Sequence, residues 1–361
     1  MTLRRPLVLL LLLVGCADGN GPTPPARNFA MGFTPFPYAF SQASVDSTWD
    51  VIRDDGDLVA DHLDGGVPWQ EAAAGTSFDP AYASNLADAI SDAPPAHAVY
   101  LALTPINLQR DGLALHRGAS TDEPLVAPWD TVAFDDSLVI RSYVAYCERL
   151  IQQFQPRYFA YAIEANIVAQ KAPAKWPAFL VLAESTYTML KRNHPTLPVF
   201  ATIQVETLYE DISGNGPAVT QLLAFSDVVA ISTYPYLLGA DPTQLPADYF
   251  TGIAALAPGK PFAVTETGWP AEPITAPFPV DIPGSETLQA AYVRRLLSDA
   301  STLDTRFVNW FFTRDYDSLW LTDFQNDPNA ALFRQWRDHG LYAGDGQPRP
   351  GLAAWREWLG R

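Results

Sequence analysis

The amino-acid sequence predicts a single (β/α)8 barrel. From residue 28 onward, eight short apolar segments alternate with amphipathic segments of helical periodicity, which is the pattern of eight strand–helix units. The apolar segments are hydrophobic throughout, as expected for a parallel sheet that is buried on both faces. A doubly wound open sheet is the competing architecture. However, residues 31–35 at the end of the first apolar run are not the Gly-rich phosphate loop that such a sheet would carry.

The first four units follow one another from residue 29 to residue 193. Each strand is assigned to a short apolar run, and each helix to a segment with an apolar stripe at helical spacing. The predicted strands are residues 29–33, 58–62, 98–104 and 158–163. The predicted helices are residues 42–53, 80–91, 135–154 and 176–193. A long loop separates the third strand from its helix.

The second half of the chain repeats this order. The predicted strands are residues 199–203, 228–233, 262–265 and 307–311. The predicted helices are residues 216–225, 247–256 and 286–301, followed by closing helical segments at 330–339 and 352–359. No internal repeat and no change of composition interrupts this part of the chain. Residues 29–361 are therefore predicted to form one barrel domain.

Composition and charge restrict the possible functions. The chain has 361 residues, 48% of them hydrophobic, which is enough for a large buried core. The formal net charge of -17 at pH 7 disfavours nucleic acid and anionic membrane surfaces as partners, because like charges repel. The 32 prolines and 10 tryptophans indicate stiff loops and aromatic binding surfaces. We expect a monomer that binds neither nucleic acid nor a membrane through its folded surface.

The N-terminal residues are predicted to be a targeting segment. A pair of arginines is followed by an apolar run, residues 7–14, that is too short to span a membrane as a mature helix. The tetrapeptide Leu13-Val14-Gly15-Cys16 resembles the bacterial lipoprotein box, in which the chain is cut before the cysteine and the cysteine receives lipid. Residues 1–15 are then a signal peptide, and residues 16–28 are a lipidated Cys16 with a flexible tether. This predicts a lipid-anchored protein of the bacterial cell envelope, at the outer membrane or cell surface. An ordinary secretory signal with an incidental cysteine is the alternative.

No metal site or cofactor site is indicated by the sequence. The five histidines, at positions 62, 97, 116, 194 and 339, lack the spacing of metal ligands, and no cysteine cluster accompanies them. Cys147 is the only cysteine besides Cys16, and it lies in a predicted helix, where it is interpreted as a small core residue. We therefore expect neither a metal nor a cofactor.

Polar and aromatic residues follow the predicted strands at their carboxyl ends, where barrel enzymes place their functional groups. Sugars require such a mixture, because aromatic rings stack on their C–H faces while amides and acids bind their hydroxyls. The candidate site is therefore predicted to bind a carbohydrate. Its residues are Phe33, His62, Trp69, Asn107, Glu164, Asn166, Gln204, Glu206, Tyr234, Glu266, Trp269 and Trp310.

Two of these acids form a pair. Glu164 ends the fourth predicted strand and Glu266 ends the seventh, so their carboxyls are expected to face each other across the barrel mouth. Burial of a glutamate at the end of a strand is unfavourable unless the carboxyl is paired, so such a residue indicates an interaction partner or a functional role. Retaining glycosidases use two carboxyls about 5–5.5 Å apart, one to attack the anomeric carbon and one to protonate the leaving oxygen. We therefore predict a sugar-cleaving site with Glu266 as its nucleophile.

Three segments resemble the retaining (β/α)8 glycoside hydrolases of clan A. The segment Thr265–Pro270 resembles the nucleophile motif of that clan and is most similar to the endo-β-1,4-galactanase and β-1,3-glucanase families. Ser232–Tyr236 resembles the strand-six segment, whose tyrosine contacts the nucleophile. Asn309-Trp310 resembles strand eight, whose tryptophan forms the floor of the central sugar subsite.

The resemblance implies a mechanism and assigns roles to residues. It implies hydrolysis of β-glycosidic bonds of a poly- or oligosaccharide by double displacement through a glycosyl-enzyme, without a cofactor. The clan carries its acid/base on strand four and its nucleophile on strand seven, which match Glu164 and Glu266. By the same likeness Tyr234 orients Glu266, and Trp269 and Trp310 stack on sugars.

One position departs from the clan. The clan has an asparagine directly before the acid/base, where its amide binds the sugar 2-hydroxyl, whereas this chain has Ile163 before Glu164. Either Asn166 or Asn107 substitutes, or the substrate differs at that carbon, or activity is low; Glu206 is a fallback acid. The departure also leaves open a non-catalytic carbohydrate-binding lipoprotein on the same barrel. An esterase or deacetylase is disfavoured, because the chain has neither a Gly-x-Ser-x-Gly motif nor a set of metal ligands.

Overall fold

A computed structural model describes residues 26–210, 212–239 and 241–360 of the chain. Within these ranges eight parallel strands close into a barrel in the order in which they occur in the sequence. The predicted fold class, a single (β/α)8 barrel, is therefore confirmed. The predicted signal peptide, Cys16 and most of the predicted tether lie outside the described residues. None of the helices in the described ranges has the length and apolar character that a membrane crossing requires.

The barrel strands are short and pair with their neighbours in sequence. The first strand also pairs with the last, with Ala30 opposite Phe307 and Phe33 opposite Trp310, which closes the sheet. Because the pairings are parallel, the carboxyl ends of the strands meet at one end of the barrel, called the mouth below. The strands are Ala30–Phe33 (β1), Leu58–Leu63 (β2), Ala98–Leu103 (β3), Tyr158–Ala162 (β4), Val199–Gln204 (β5), Val229–Thr233 (β6), Phe262–Thr267 (β7) and Thr305–Trp310 (β8).

Helices cover the outside of the barrel. Four of them begin at a side chain that accepts a hydrogen bond from the first helical turn, namely Ser41, Asp79, Asp136 and Ser285. The helices are Gln42–Asp55 (α1), Trp69–Ala74 (α2), Pro80–Asp92 (α3), Ser137–Phe154 (α4), Ile167–Lys171 (α5), Trp176–Asn193 (α6), Val205–Glu210 (α7), Ile212–Leu223 (α8), Tyr249–Ala254 (α9), Glu286–Ala300 (α10), Asp317–Thr322 (α11), Ala330–Trp336 (α12) and Pro350–Leu359 (α13). The predicted strands and long helices agree with these bounds within about four residues. The short helices α2, α5, α7 and α11 were not predicted, because they carry too little periodicity.

The strands divide their side chains between two apolar clusters, as their two-residue period requires. One cluster fills the barrel, and the other lies between the sheet and the helices. On β8, Phe307 belongs to the inner cluster, whereas Val308 and Trp310 belong to the outer cluster. The alternation therefore turns Asn309 and then Phe311 toward the inside. The inner cluster comprises Leu58, Ala60, Tyr100, Ala102, Tyr158, Ala160, Ile163, Phe200, Val228, Ala230, Ala263 and Phe307.

Two irregularities near the mouth change this alternation for the candidate site residues. Between β6 and β7, Ile231 lies opposite Val264 but Ser232 lies opposite Glu266, so β7 contains one extra residue at that point. A similar shift adds one residue to β4 where it pairs with β5. Bulges of this kind increase the local twist and re-aim side chains. As a result Glu266 lies beside Ser232 at the mouth.

A long connection follows β8 before α13 covers the barrel. Residues 311–349, called the β8–α13 segment below, contain α11, α12 and most of a third aromatic cluster. Largely buried ion pairs hold the segment in place. Asp338 pairs with Arg334 at 2.8 Å and with Arg337 at 2.6 Å, and Asp315 pairs with Arg349. Breaking a buried pair leaves an uncompensated charge and costs about 3–5 kcal/mol, so these pairs stabilise the conformation of the segment. Arg334 also donates a hydrogen bond of 2.8 Å to the carbonyl of Pro273, which joins the segment to the loop after β7.

Candidate active site

Glu266 lies near the carboxyl end of β7, and only 5% of it is exposed at the barrel mouth. The hydroxyl of Tyr234, directly after β6, donates a hydrogen bond of 2.5 Å to Oε1 of Glu266. The other oxygen, Oε2, lies 3.9 Å from Nδ1 of His62 at the end of β2. Among the described residues, no group donates a hydrogen bond to Oε2. One carboxyl oxygen is therefore held by Tyr234, and the other is left for a ligand.

Glu164 follows β4 and reaches the mouth from the other side. Its Oε1 accepts a hydrogen bond of 2.9 Å from the hydroxyl of Ser232, and its Oε2 lies 3.1 Å from Nη2 of Arg110. The backbone of Glu164 has a φ of 50°, in the left-handed region that costs a non-glycine residue about 1–3 kcal/mol. Its N–H donates to the hydroxyl of Thr202 at 2.8 Å, which helps to hold this conformation. Strain of this kind is typical of functional positions.

The two carboxyls interact electrostatically. Burial raises the pKa of Glu266 well above its usual range, and the negative charge of Glu164 raises it further. The hydrogen bond from Tyr234 favours the charged form and opposes these effects without cancelling them. Glu266 therefore takes up a proton more readily than an ordinary glutamate.

Two basic side chains border the pair, and they differ in charge. Burial lowers the pKa of His62, with Asp64 and Glu164 opposing this effect and Arg110 adding to it. His62 is therefore uncharged at neutral pH, with its ring packed edge-on against Phe311 at 5.4 Å between centroids. Arg110 is buried and permanently charged. The positive charge of the site thus lies on the side of Glu164.

The structure brings four of the predicted site residues together, namely Glu164, Glu266, His62 and Tyr234. It adds Ser232, which the sequence analysis did not single out. Ser232 lies on β6 two residues before Tyr234, and Ala230, two residues earlier on the strand, faces the barrel interior. Its two-residue spacing was the signal that could have identified it.

Arg110 was also missed, and its position depends on a loop. It lies between β3 and α4 with a φ of 58°. The side chain of Asn107 exchanges two hydrogen bonds with Asp111, at 2.7 and 3.0 Å, and the carbonyl of Asn107 accepts from the N–H and the guanidinium of Arg110. Asn107 was predicted to bind sugar; in the structure it shapes the turn that presents Arg110 to Glu164. No sequence pattern indicates the path of this loop.

The structure corrects the prediction that four aromatic residues contact a sugar. Trp69, Trp269, Trp310 and Phe33 are each 0% exposed. Trp310, for example, faces the helices and donates its Nε1 hydrogen to the carbonyl of His339 at 2.8 Å. The sequence places these residues near strand ends. Phe33 and Trp310 lie on strands, and the alternation of side chains turns them into the outer cluster. Trp69 begins α2 and Trp269 follows β7, and both pack into the same cluster.

The predicted amide contacts are also directed elsewhere. Asn166 is completely buried, and its side chain exchanges hydrogen bonds of 2.9 and 2.8 Å with the backbone of Gln204. The side chain of Gln204 donates to Glu206 at 3.2 Å and accepts from the N–H of Thr207 at 2.7 Å. These groups stabilise the end of β5 and the start of α7. The structure does not place Asn166, Gln204 or Glu206 at the carboxyl pair.

Among the described residues, three acidic side chains lie close enough to one another to hold a cation. They are Glu272, Asp315 and Asp338. Arginines already supply positive charge there, because Asp315 pairs with Arg349 and Asp338 pairs with Arg334. The group is therefore better described as part of the ion-pair network that holds the β8–α13 segment.

Comparison with known proteins gives likeness in structure only. No protein-family model and no curated protein sequence matches the chain. Among solved structures, a GH5_18 protein from Streptomyces cattleya in complex with GlcNAc superposes with a TM-score of 0.66 at 17% identity, over 93% of this chain and 81% of that one. An exo-β-1,4-mannosidase from Opitutaceae bacterium strain TAV5 superposes with a TM-score of 0.65 at 14% identity, over 93% of this chain and 60% of that one.

A GH53 catalytic domain from Ignisphaera aggregans is also similar. Its TM-score is 0.53 at 15% identity, over 85% of this chain and 87% of that one. The GH5_18 protein thus scores higher than the GH53 domain, and the predicted closeness to galactanases and β-1,3-glucanases is not supported. At these identities the likeness shows the fold. The chain has the (β/α)8 barrel that these glycoside hydrolases share.

Proposed function

We propose that the protein is a retaining glycoside hydrolase that cleaves β-glycosidic bonds of an oligo- or polysaccharide. The observation that carries the proposal is the pair of interacting carboxyls, Glu164 after β4 and Glu266 on β7, at the mouth of a barrel. Tyr234 is hydrogen-bonded to Glu266, as the resemblance to clan A implied. The similar structures include glycoside hydrolases, which supports the same class of reaction.

In the proposed reaction Glu266 is the nucleophile. Its Oε2 attacks the anomeric carbon while the bond from that carbon to the leaving oxygen breaks, and the proton of Glu164 passes to the leaving oxygen. A covalent glycosyl ester on Glu266 results. Water then attacks the same carbon, Glu164 takes the proton of that water, and the ester bond returns its electrons to Glu266. The hydrogen bond from Tyr234 to Oε1 stabilises the carboxylate before attack and after release.

Arg110 sets a condition on this mechanism. In the structure its guanidinium contacts the carboxyl that must carry the proton, while burial favours a proton on Glu266. The first step requires the opposite distribution. We therefore propose that a bound sugar separates Arg110 from Glu164 and takes the place of that contact. The second step requires an ionised Glu164, which the return of Arg110 would favour.

β-Mannosides are the first substrates to try. One similar structure is an exo-β-1,4-mannosidase, and a GH5_18 variant from Streptomyces cattleya was solved in complex with Man-β-1,4-GlcNAc. Glu266 is only 5% exposed, which favours entry of a chain end over binding along a chain. We propose a terminal β-mannosyl residue as the group that is released.

The test measures hydrolysis of aryl β-mannoside, β-glucoside, β-galactoside and β-glucuronide, together with Man-β-1,4-GlcNAc. Wild type, Glu266→Ala and Glu164→Ala are compared, and NMR identifies the anomer that is released first. A retained anomer, with azide restoring turnover of Glu266→Ala as an α-glycosyl azide, supports the proposal. An inverted product, or undiminished turnover in Glu266→Ala, contradicts it.

A non-catalytic carbohydrate-binding protein is the second candidate. It is favoured by Ile163, which belongs to the apolar cluster inside the barrel and offers no amide beside Glu164. It is also favoured by Arg110, whose charge neutralises the acid of the pair. Sugar binding without turnover of any substrate, unaffected by either alanine substitution, would establish this reading instead.

We also propose that Cys16 anchors the protein in the cell envelope through lipid. The support is the tetrapeptide that ends at Cys16 and the positive start of the chain. Expression in a bacterial host followed by detergent phase partition tests this. Wild type should enter the detergent phase and Cys16→Ala should not, and equal partition of the two proteins would contradict the anchor.

A further inference from the structure

The β8–α13 segment places one tryptophan next to the carboxyl pair. We infer that Trp336, on α12, is the aromatic platform on which the sugar stacks while its anomeric carbon faces Glu266. This replaces the strand-eight tryptophan that the sequence pattern indicated, and it rests on the proposed function. Trp336 would then act in substrate binding.

The ring of Trp336 contacts two side chains that surround the pair. Its centroid lies 6.1 Å from that of Tyr234, the hydrogen-bond donor of Glu266, and 6.1 Å from that of Phe311. Phe311 in turn packs against His62, which lies 3.9 Å from the carboxyl of Glu266. Trp336 therefore belongs to the wall of the mouth, although it is 70 residues from Glu266 in the sequence.

Exposure distinguishes Trp336 from the other candidate tryptophans. Trp310 and Trp269 are completely buried in the outer cluster, so neither can present a ring face to a sugar. Trp336 is only partly buried. A pyranose stacks its C–H face on such a ring, and an indole contributes a large apolar area at little cost in conformational entropy.

Unpartnered polar atoms point to the same place. Nε1 of Trp336 and Nε2 of His62 are two of several buried side-chain atoms that have no hydrogen-bond partner within the described residues. Leaving such a group unsatisfied is unfavourable, so each requires an explanation. Hydroxyl groups of a sugar bound between these two side chains would satisfy both. A neutral pyranoside, with hydroxyls at its edge and C–H groups on its face, fits this combination.

The backbone on both sides of Trp336 is fixed. Arg334 and Arg337, which flank it in sequence, both pair with the buried carboxylate of Asp338. The carbonyl of Trp336 also accepts a hydrogen bond from the N–H of His339 at 3.2 Å. The ring is therefore held in position before the sugar arrives, which reduces the entropy lost on binding.

The experiment compares Trp336→Ala and Trp336→Phe with a control, Trp320→Ala. Trp320 lies on α11 in the aromatic cluster of the same segment, so its removal reports general damage to that segment. With aryl β-mannoside, or whichever aryl glycoside the wild type hydrolyses, Trp336→Ala should raise KM at least about tenfold and change kcat less. Trp336→Phe should lie between this variant and wild type. Trp320→Ala should leave KM within about twofold and lower Tm instead.

A second measurement does not depend on turnover. Binding of Man-β-1,4-GlcNAc to Glu266→Gln is measured by calorimetry, with and without Trp336→Phe and Trp336→Leu. These two substitutions retain part of the apolar side chain and serve if the alanine variant does not fold. Weaker binding in both double variants supports the platform even if no substrate is turned over. A folded Trp336→Ala with unchanged KM, or equal affinity in the double variants, would overturn it. A wild type that neither hydrolyses nor binds any sugar of the panel would overturn the inference and the proposed function together.

Discussion

Glu206 and Glu266 are both buried glutamates at the carboxyl end of a barrel strand, and they differ in their hydrogen bonds. Oε1 of Glu206 accepts from the hydroxyl of Thr233 and the N–H of Tyr234, each at 2.8 Å, and from the hydroxyl of Tyr249 at 3.1 Å. Its Oε2 accepts from Gln204. Glu266 receives one hydrogen bond, from the hydroxyl of Tyr234.

The difference separates a structural carboxyl from a reactive one. The donors around Glu206 are fixed parts of the fold and leave no room for a ligand, whereas Glu266 has a free oxygen and a second carboxyl nearby. Tyr234 connects the two sites, because its N–H binds Glu206 and its hydroxyl binds Glu266. We interpret Glu206 as a group that positions Tyr234, and Glu266 as the group that reacts.

The most direct test exchanges each carboxyl for an amide. We expect Glu266→Gln to lower kcat at least about 10⁴-fold, because the attacking oxygen loses its charge. Glu206→Gln should retain kcat within about tenfold, since it alters only the support of Tyr234. Steady-state kinetics on the same aryl glycoside measure both. Equal losses in the two variants would remove the distinction drawn between the carboxyls.

The role of Glu164 is tested through the leaving group. Glu164→Gln should lower kcat/KM about 10²–10⁴-fold for a disaccharide, whose leaving oxygen needs a proton. It should lower kcat/KM much less for a dinitrophenyl glycoside, whose leaving group departs without one. Rates for a series of aryl glycosides of decreasing leaving-group pKa measure this dependence. A loss that is the same for every leaving group would assign Glu164 a role other than acid.

The buried position of Glu206 should make stability depend on pH. Burial raises the pKa of Glu206 from 4.5 to about 7, the hydrogen bonds to Thr233 and Tyr234 notwithstanding. Below pH 4.5 the carboxyl of Glu206 is protonated in both the folded and the unfolded chain. Between pH 4.5 and about 7 it is ionised only in the unfolded chain, so the free energy of unfolding should fall by about 3 kcal/mol as pH rises.

Glu206→Gln should remove this contribution, because an amide does not titrate. Urea unfolding of wild type and variant at several pH values between 4 and 8, on the order of one pH unit apart, measures the difference. Glu184→Gln, at an exposed position of α6, is the control and should keep the pH dependence of wild type. The interpretation is wrong if Glu206→Gln keeps the same slope.

Tyr234→Phe tests the single hydrogen bond of Glu266. The hydroxyl of Tyr234 favours the charged carboxylate, so its removal should raise the pKa of Glu266 further. Because the nucleophile must be ionised, the acidic limb of the kcat/KM profile should move to higher pH. At pH values on this limb, kcat/KM should fall by about tenfold or more relative to wild type. Tyr249→Phe, which removes a hydroxyl from Glu206, is the matched control and should leave the limb in place. A limb that does not move in Tyr234→Phe would show that this hydrogen bond does not tune the reaction.

The fold was predictable because it depends on a pattern that repeats. Eight apolar runs and their helices identify a barrel even when single boundaries are displaced by a few residues. The carboxyls were predictable for a related reason, since Glu164 and Glu266 follow apolar strands directly and the segment after Glu266 carries a motif. His62 and Tyr234 follow their strands in the same way, and the structure places both at the pair.

The aromatic and basic residues of the site were not predictable in this way. Trp310 and Phe311 are adjacent in sequence, and which of them faces the mouth depends on the phase of alternation along β8. Arg110 reaches Glu164 from a loop that turns through a positive φ, and Trp336 reaches Tyr234 from a segment held by ion pairs. Contacts of this kind join residues that are distant in sequence, so no local spacing records them.

The sequence by itself determined that the chain forms a closed parallel barrel with a glutamate at the end of the fourth strand and another at the end of the seventh. Local apolarity and periodicity are sufficient for this, because every strand of a parallel barrel must be buried on both faces. The tertiary structure decided which side chains reach the carboxyls. That choice depends on bulges, on the alternation of each strand and on side-chain contacts between residues that are distant in sequence. Together they leave one carboxyl oxygen of Glu266 without a donor and give Glu206 its hydrogen-bond donors. They also bring Arg110 and Trp336 to the mouth.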